Sequence, residues 1–378
     1  MSRKKKSVHR LHFFNKIILF FNSLSALVLL LSYLAAIIDP RLFWPISFLG
    51  LAYPILLLVN ILFSGYWLCS RCPKFALLSF FTIIIGWKFL VSYIGFREPT
   101  AIGVPKSSQR FIRVMTYNVH EFKQFGDKND IRTKALFLDI IQKEQPDIVC
   151  FQEFFTRRTN EYNFKKAISE VLNTSHYYYS PTKGNSYETI GLAIFSKFPI
   201  IHRGVIQFEK HNNNESIFTD IKANNSIFRV YNVHLQSIRF KPEDYKYIDE
   251  FKNQMGADVE SSRRIGGRLK RAFIKRSGQV EILKNHTKTC QTPYLVAGDF
   301  NDTPISYTVN SMLSGGLINS FREKGSGLGI TYNGDFPNFQ IDYILVSPSF
   351  SVKNYRIVQK KASDHYAVRS DLELKTKE

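Results

Sequence analysis

The sequence predicts an α/β fold, a two-layered β core flanked by helices and preceded by a helical membrane region. Three observations predict it. Residues 17–38 carry no charged side chain, and two further long apolar segments follow them. Beyond residue 110, apolar runs of strand length alternate with stretches of helical spacing, as in a sheet flanked by helices. Acids, amides and histidines then recur at or beside the ends of those runs, where α/β folds commonly hold their chemistry.

The totals are consistent with this division. A chain of 378 residues accommodates one large domain and a second region. The net charge is +20, and residues 1–100 hold 11 Lys/Arg against 2 Asp/Glu. A basic balance suits phosphate-bearing substrates and anionic membrane surfaces alike and does not choose between them. Four cysteines make no disulfide framework. Cys69 and Cys72 form a lone C-x-x-C without the second ligand pair that a zinc site needs, and Cys150 lies in an apolar run as a core residue.

Taken in order, the chain opens on a basic tail, Met1–Arg10. Three transmembrane helices are expected at about 17–38, 42–63 and 75–95 within a membrane region 1–96. The apolar run is too long for a cleaved signal peptide. Pro45 and Pro54 fall in the second span, which bundled helices tolerate, and Lys88 in the third is placed to snorkel. The positive-inside rule puts the tail and the Arg71–Lys74 loop in the cytoplasm. With three spans, everything after Arg97 then faces the outer, periplasmic side of a cytoplasmic membrane; a re-entrant second segment would reverse that.

Residues 97–109 read as a linker, and a catalytic domain is expected over 110–378. Strands are expected at Phe111–Tyr117, Pro146–Phe151, Gly191–Phe195, Ser226–Tyr231, Thr292–Ala297 and Gln340–Val346, with another after His365. Tyr177–Tyr179 suits a half-buried strand. Helices are expected at Ile131–Lys143, from Leu136, Ile140 and Ile141, and at Gln279–Lys288. The charged stretch Arg239–Lys275 reads as part loop and part helix. No internal repeat of fixed period is present.

The stretch Val296-Ala-Gly-Asp-Phe-Asn-Asp302 shows the recurring pattern most fully, an apolar strand broken by glycine before Asp299, Asn301 and Asp302. Asn118, Glu153, Asn232 with His234, Asp342, and Asp364 with His365 fall at comparable places. Such a set supplies what metal-assisted phosphate-ester hydrolysis requires. Carboxylates and an amide oxygen hold a hard cation, histidines move protons near neutral pH, and amide donors steady phosphoryl oxygens as charge builds.

The ordered motifs Thr116–His120, Phe151–Glu153, Gly191–Pro199, Asn232–Gln236, Gly298–Asn301, Ile341–Val346 and Ser363–Ala367 resemble the endonuclease/exonuclease/phosphatase superfamily. That superfamily includes pancreatic-type deoxyribonuclease, abasic-site endonucleases, inositol polyphosphate 5-phosphatases and neutral sphingomyelinases. The resemblance covers roughly residues 110–374 and implies a four-layered α/β sandwich. It implies Mg²⁺, with Mn²⁺ as a substitute, held by Glu153 with Asn118 and Asp364. Asp299 resembles the aspartate that orients or deprotonates water, and Asn301 the amide that contacts the phosphoryl group. His365 resembles the closing histidine, oriented by Asp342. His234 resembles the second histidine of the deoxyribonuclease and sphingomyelinase branches, with Glu188 as its acidic partner. His120 has no role in the pattern, and Asp302 is structural.

The resulting expectation is a membrane-anchored phosphoesterase that hydrolyses a phosphodiester or phosphomonoester by in-line attack of water. Nucleic acid and a phospholipid head group both remain open as substrates, and no protein partner is evident. The basic stretch Ser262–Arg276 suits a nucleic-acid track, contact with anionic lipid or a solvated helix packed on the sandwich. An endonuclease or exonuclease is one alternative. A catalytically silent binding module is another, opposed by the full set of catalytic positions.

Overall fold

The computed structural model describes residues 12–70, 72–101, 103–123, 131–209, 214–223, 226–254, 258–334 and 337–375. The basic tail and Arg71 lie outside them.

The N-terminal region holds α1 (Phe13–Tyr33), which runs through a single 3₁₀ turn to Ala36, then α2 (Pro40–Phe43), α3 (Pro45–Leu51), α4 (Tyr53–Cys69), α5 (Pro73–Ile85) and α6 (Trp87–Tyr93). Among the described residues, Phe13–Ala36 alone is long and apolar enough to cross a membrane as one helix. The expected second span is instead the bent pair α3 and α4, at 58°, and the third is α5 and α6, at 71°. The reason is local. Pro45 and Pro54 sit in first turns, where a missing N–H costs nothing, so they start helices rather than kink one. Gly86 breaks the last pair, and a Cβ there would collide with the Tyr33 ring. Polar side chains join α1, α4 and α5: Trp67 and Ser79 both bond Asn22, and Ser79 also bonds Asn60, at 2.6–2.9 Å. In an apolar surround, such bonds favour helix association.

After β1 (Ile94–Phe96) the sandwich begins with β2 (Ile112–Asn118), α7 (Ile131–Glu144), β3 (Ile148–Arg157), α8 (Phe164–Leu172), β4 (His176–Gly184) and β5 (Glu188–Ser196). It continues with β6 (Ile200–Gln207), β7 (Glu215–Ala223), β8 (Ser226–His234), α9 (Pro242–Gln254), α10 (Val259–Lys288) and β9 (Tyr294–Asp299). The last elements are α11 (Tyr307–Ser314), β10 (Ile318–Asn319), α12 (Ser320–Lys324), β11 (Ser326–Leu328), β12 (Asp342–Val346), β13 (Phe350–Val358) and β14 (Ala367–Leu374).

Two six-stranded sheets form, in the orders β13-β14-β2-β3-β5-β4 and β10-β12-β9-β8-β7-β6. Both are mixed: β2 with β3 and β8 with β9 pair in parallel, the other pairs antiparallel. Strand alternation builds the layers. Val114, Ile148, Cys150, Val230, Leu295 and Ala297 face between the sheets. Their neighbours Met115, Val149 and Phe151 pack outward under α7 and α8, while Val233 and Val296 pack under α10 and α11. This is the four-layered α/β sandwich. A fourth cluster, of Leu29, Tyr33, Tyr53, Leu57 and Phe89, takes Ile305 from the sandwich in among the N-terminal helices.

Candidate active site

The two central parallel pairs run toward the same edge of the sandwich, so β2, β8 and β9 deliver their last residues, Asn118, His234 and Asp299, to one place, and β3 brings Glu153 alongside them from mid-strand. Asp342 opens β12 directly opposite Asp299, and His365 stands two residues before β14, which pairs with β2. All eight expected site residues meet there.

Local backbone aims them. The β3–β5 register shifts between Phe151 and Phe154, leaving Glu153 at a bulge with φ 51°. Bulges turn side chains out of the ladder. At the end of β9, Gly298 has φ 151°, and a Cβ there would meet the Val233 carbonyl, so the turn demands glycine. Asn301 follows with φ 54°. Left-handed backbone at Glu153, Asn301, His120 and Arg239 costs free energy at each and concentrates where function requires it.

Asp299 is the hub. Its Oδ2 accepts from the Asn118 amide at 3.1 Å and from the Asn301 amide at 3.0 Å, and its Oδ1 accepts from the Asn301 backbone N–H at 2.8 Å. The Nε2 atoms of His365 and His234 stand 3.9 and 3.8 Å from the same Oδ2. On its far side, His365 Nδ1 lies 3.0 Å from Asp342, and Tyr332 meets the ring edge-on. Burial pushes the Asp299 carboxyl up to about 6, restrained by the two histidines. Burial also opposes the His365 imidazolium, but Asp342 and Asp299 outweigh it and hold the ring well above the usual histidine range.

Opposite this buried group, Glu153 and Asp364 present part-exposed carboxylates on either side of His120, whose Nδ1 is 3.7 and 3.6 Å from them. Neither pairs with Lys or Arg among the described residues. His234 Nε2, buried and without a hydrogen-bond partner among those residues, points toward Glu153 at 3.7 Å. Two uncompensated carboxylates converging beside an orphaned imidazole fit a hard divalent cation. Asp299, Asp342 and His365 also lie within 4.8 Å of one another by one donor atom each; within that group His365 Nδ1 is engaged by Asp342 at 3.0 Å. Asn118 turns its N–H, not its oxygen, toward Asp299 and Glu153, while its Oδ1 accepts from the His120 backbone. It therefore differs from the metal ligand expected.

Three other expectations need correction. Glu188 pairs with Arg157 at 3.0 Å, not with His234, because β5 carries it past the site to the tip of the sheet. Asn232 is not at the surface of the site: fully buried, it donates to the carbonyls of Phe151 and Ala193 and accepts from Gln152, joining the two sheets beneath it. His120, given no role, lines the cleft. Arg276 was missed inside the basic stretch; buried, it pairs with Asp302 at 2.9 Å and braces the loop after Asn301. Its signal was the apolar Leu269, Ala272, Phe273 spacing, which places Arg276 on the packed face.

Comparisons with known proteins follow the same boundary. A family model described as the endonuclease/exonuclease/phosphatase family matches residues 115–365, and one described as a domain of unknown function matches residues 15–93. No curated protein matches the sequence. An endonuclease/exonuclease/phosphatase from Bacteroides vulgatus is 16% identical, with a TM-score of 0.51 over 70% of this chain and 99% of that one. The human Nocturnin catalytic domain with bound sulfate is 18% identical, with a TM-score of 0.48 over 70% and 94% of the two chains. A mannosyl-6-phosphatase from Bacteroides thetaiotaomicron is 17% identical, with a TM-score of 0.48 over 69% and 99%. At such identities the likeness concerns the fold, which the Bacteroides vulgatus structure supports.

Proposed function

We infer the function from one premise: this chain belongs to the endonuclease/exonuclease/phosphatase family. It is a membrane-anchored, divalent-metal-dependent phosphoesterase that hydrolyses a phosphate ester by in-line attack of water. The convergence on Asp299 of two amides and two imidazoles, across from Glu153 and Asp364, carries this reading. Glu153 and Asp364 hold the cation, Mg²⁺ or Mn²⁺, with Asn118 flanking them. When bound, that ion supplies Lewis-acid stabilisation of charge on the phosphoryl oxygens.

The chain's own residues supply the rest. Asp299 orients water and takes its proton, helped by a carboxyl more basic than usual. The water oxygen bonds to phosphorus as the ester P–O bond breaks, and the proton taken is the one the leaving oxygen finally needs. His365 and His234 turn N–H groups toward the phosphoryl oxygens, Asp342 keeps His365 oriented and charged, and Asn301, whose amide hydrogens go to Asp299 and the Leu235 carbonyl, holds the base in place rather than contacting the phosphoryl group as expected. To test this, the full chain in detergent is assayed on a soluble aryl phosphodiester with Mg²⁺. Glu153→Gln should abolish EDTA-sensitive turnover without changing the circular dichroism spectrum; full activity in that variant removes Glu153 from the cation site. A nuclease is the second reading, favoured by the exposed Arg263, Arg271 and Lys275 of α10.

The anchor is a three-pass bundle of α1, α4 and α5, with the catalytic domain on the outer face of the cytoplasmic membrane. Two features support it. The Ala36–Tyr53 and Ile85–Phe96 segments adjoin the sandwich, whereas α4 ends at Cys69 and α5 starts at Pro73 on the opposite side. Lys16 and Lys74 then lie on the side away from the catalytic domain, as the positive-inside rule requires. A phosphatase reporter fused after Glu378, active only outside the cytoplasm, should be active; silence there with activity of a cytoplasmic reporter reverses the topology.

A further inference from the structure

The catalytic cleft is not walled by the sandwich alone. Asn118, Glu153, Asp299, Asp364 and His365 line it, and so does Leu51, the last residue of α3 in the membrane region. Ile238, Phe240, Leu269 and Phe273 line the same cleft, the last of them sharing a second, smaller cavity with Leu51. Phe273 meets Phe48 of α3 edge-on at 5.4 Å, which makes this apolar lining continuous with the membrane helices. A small polar phosphate ester gains nothing from such a surface; a hydrocarbon chain does, because its removal from water is the favourable term.

The surroundings have the composition of a bilayer interface. Ile37, Leu42 and Phe43 are 68%, 85% and 52% exposed between α1 and α3. Trp44 follows them, with Lys270 of α10 held 4.6 Å over its ring. Arg271 and Lys275 stand exposed on the same helix. Apolar side chains, an indole and cations side by side are what a protein presents to lipid headgroups. The cleft therefore shares α3 and α10 with a face suited to the membrane surface.

We propose that the substrate is a phosphate ester carried on a hydrocarbon chain and taken from the bilayer itself. Its phosphate seats against Asp299 and His365, and its chain lies along Leu51, Leu269 and Phe273 toward the membrane helices. This rests on the phosphoesterase reading above and names the substrate class of that same site.

The test uses the full chain in phosphatidylcholine nanodiscs with Mg²⁺ and a series of p-nitrophenyl alkyl phosphates from methyl to dodecyl. Every member releases the same nitrophenolate, so only the chain varies. The expected result is a kcat/KM that climbs by up to about four-fold per methylene over the first carbons, the worth of one buried CH₂. Leu51→Asp, which makes the wall polar, and Leu51→Trp, which narrows it while staying apolar, should each at least halve that slope. Partition of the ester into the disc is common to all three proteins and cancels. A flat series, or a slope that survives both variants, with Glu153-dependent turnover of the methyl ester intact, overturns the lipid inference and leaves the phosphoesterase reading standing. Single-stranded DNA cut faster than any alkyl ester overturns it in favour of nucleic acid. No turnover of any ester or of DNA brings down both.

Discussion

At the scale of single residues, what distinguishes this site is the separation of two carboxylate environments. Asp299 is buried among donors and imidazoles, whereas Glu153 and Asp364 face the cleft with one shared histidine. On the function proposed above, roles divide accordingly, a base inside and cation ligands at the rim. His365 stands beside Asp299 and is held by Asp342 at 3.0 Å, and that pair makes a prediction. His365→Ala should lower kcat by at least about 10²-fold, the scale of losing one donor that stabilises transition-state charge. Asp342→Asn should produce a smaller loss together with a shift of the alkaline limb of the pH–rate profile to lower pH, because the carboxylate that raises the imidazole is gone. A change confined to KM in the first variant, or an unmoved profile in the second, would refute the assignment. Most of these residues were legible in the sequence because each sits within a short motif at a strand end. Asn118 was read as a cation ligand because composition does not say which way an amide faces. Glu188 was misplaced for a related reason: its distance from the site is set by how far β5 runs.

At the scale of elements, the strands that carry motifs were legible, and the ones that complete the sheets were less so. β2, β3, β8 and β9 are apolar on both faces because both are covered, and continuous apolar runs stand out. β6 and β13 alternate and lie at sheet edges, so their pattern is diluted by exposed polar positions. The stretch Arg239–Lys275 showed charge but not that α10 runs unbroken for 30 residues, started by Asp258 capping the N–H groups of Glu260 and Ser261. That length carries Arg276 beneath the cleft, where it donates to Asp302 and to the Gln236 carbonyl. Asp302 also accepts from Thr308, so the loop that presents Asn301 is tied to α10 and α11 together. Removing the guanidinium leaves a buried carboxylate without its counter-charge. Arg276→Met is therefore expected to cost about 3–5 kcal/mol, the usual penalty for breaking a buried pair from one side. Adding Asp302→Asn should recover part of it. Urea unfolding of the detergent-solubilised chain measures both, and an Arg276→Met variant within 1 kcal/mol of the parent, about the worth of a surface ion pair, would mean that the pair is not structurally important.

At the scale of the whole molecule, residues 97–109 read in the sequence as a linker between two independent parts, yet contacts cross that boundary on both sides. β1 pairs with β11 through Ile94, Gly95 and Phe96, which attaches the end of the N-terminal helical region to the sandwich by backbone hydrogen bonds. Gly329 donates to the Tyr93 carbonyl at 2.9 Å, Ser277 of α10 bonds Asp39, and Arg41 reaches Glu281 at 3.5 Å. Ile305, six residues past Asp299, is fully buried among the N-terminal helices, and a Cβ at Gly50 would touch it and collide with Ala35. Pairings over such sequence distances leave no local pattern to read. They bear directly on the site, because Ile305 anchors the loop that carries Asn301 and Asp302. Removing residues 1–93 should strip the cover from Ile305 alone at a cost of about 1.5–3 kcal/mol, and should loosen the loop before the sheets. Hydrogen–deuterium exchange of the truncated chain against the intact one should show lost protection over Asp302–Tyr307, while β2, β3, β8 and β9 remain protected. Its kcat on a soluble phosphodiester should fall with that protection, since Asn301 and Asp299 share one turn. Equal protection and equal kcat in the two proteins would mean that the membrane helices hold the enzyme in place without shaping its active site.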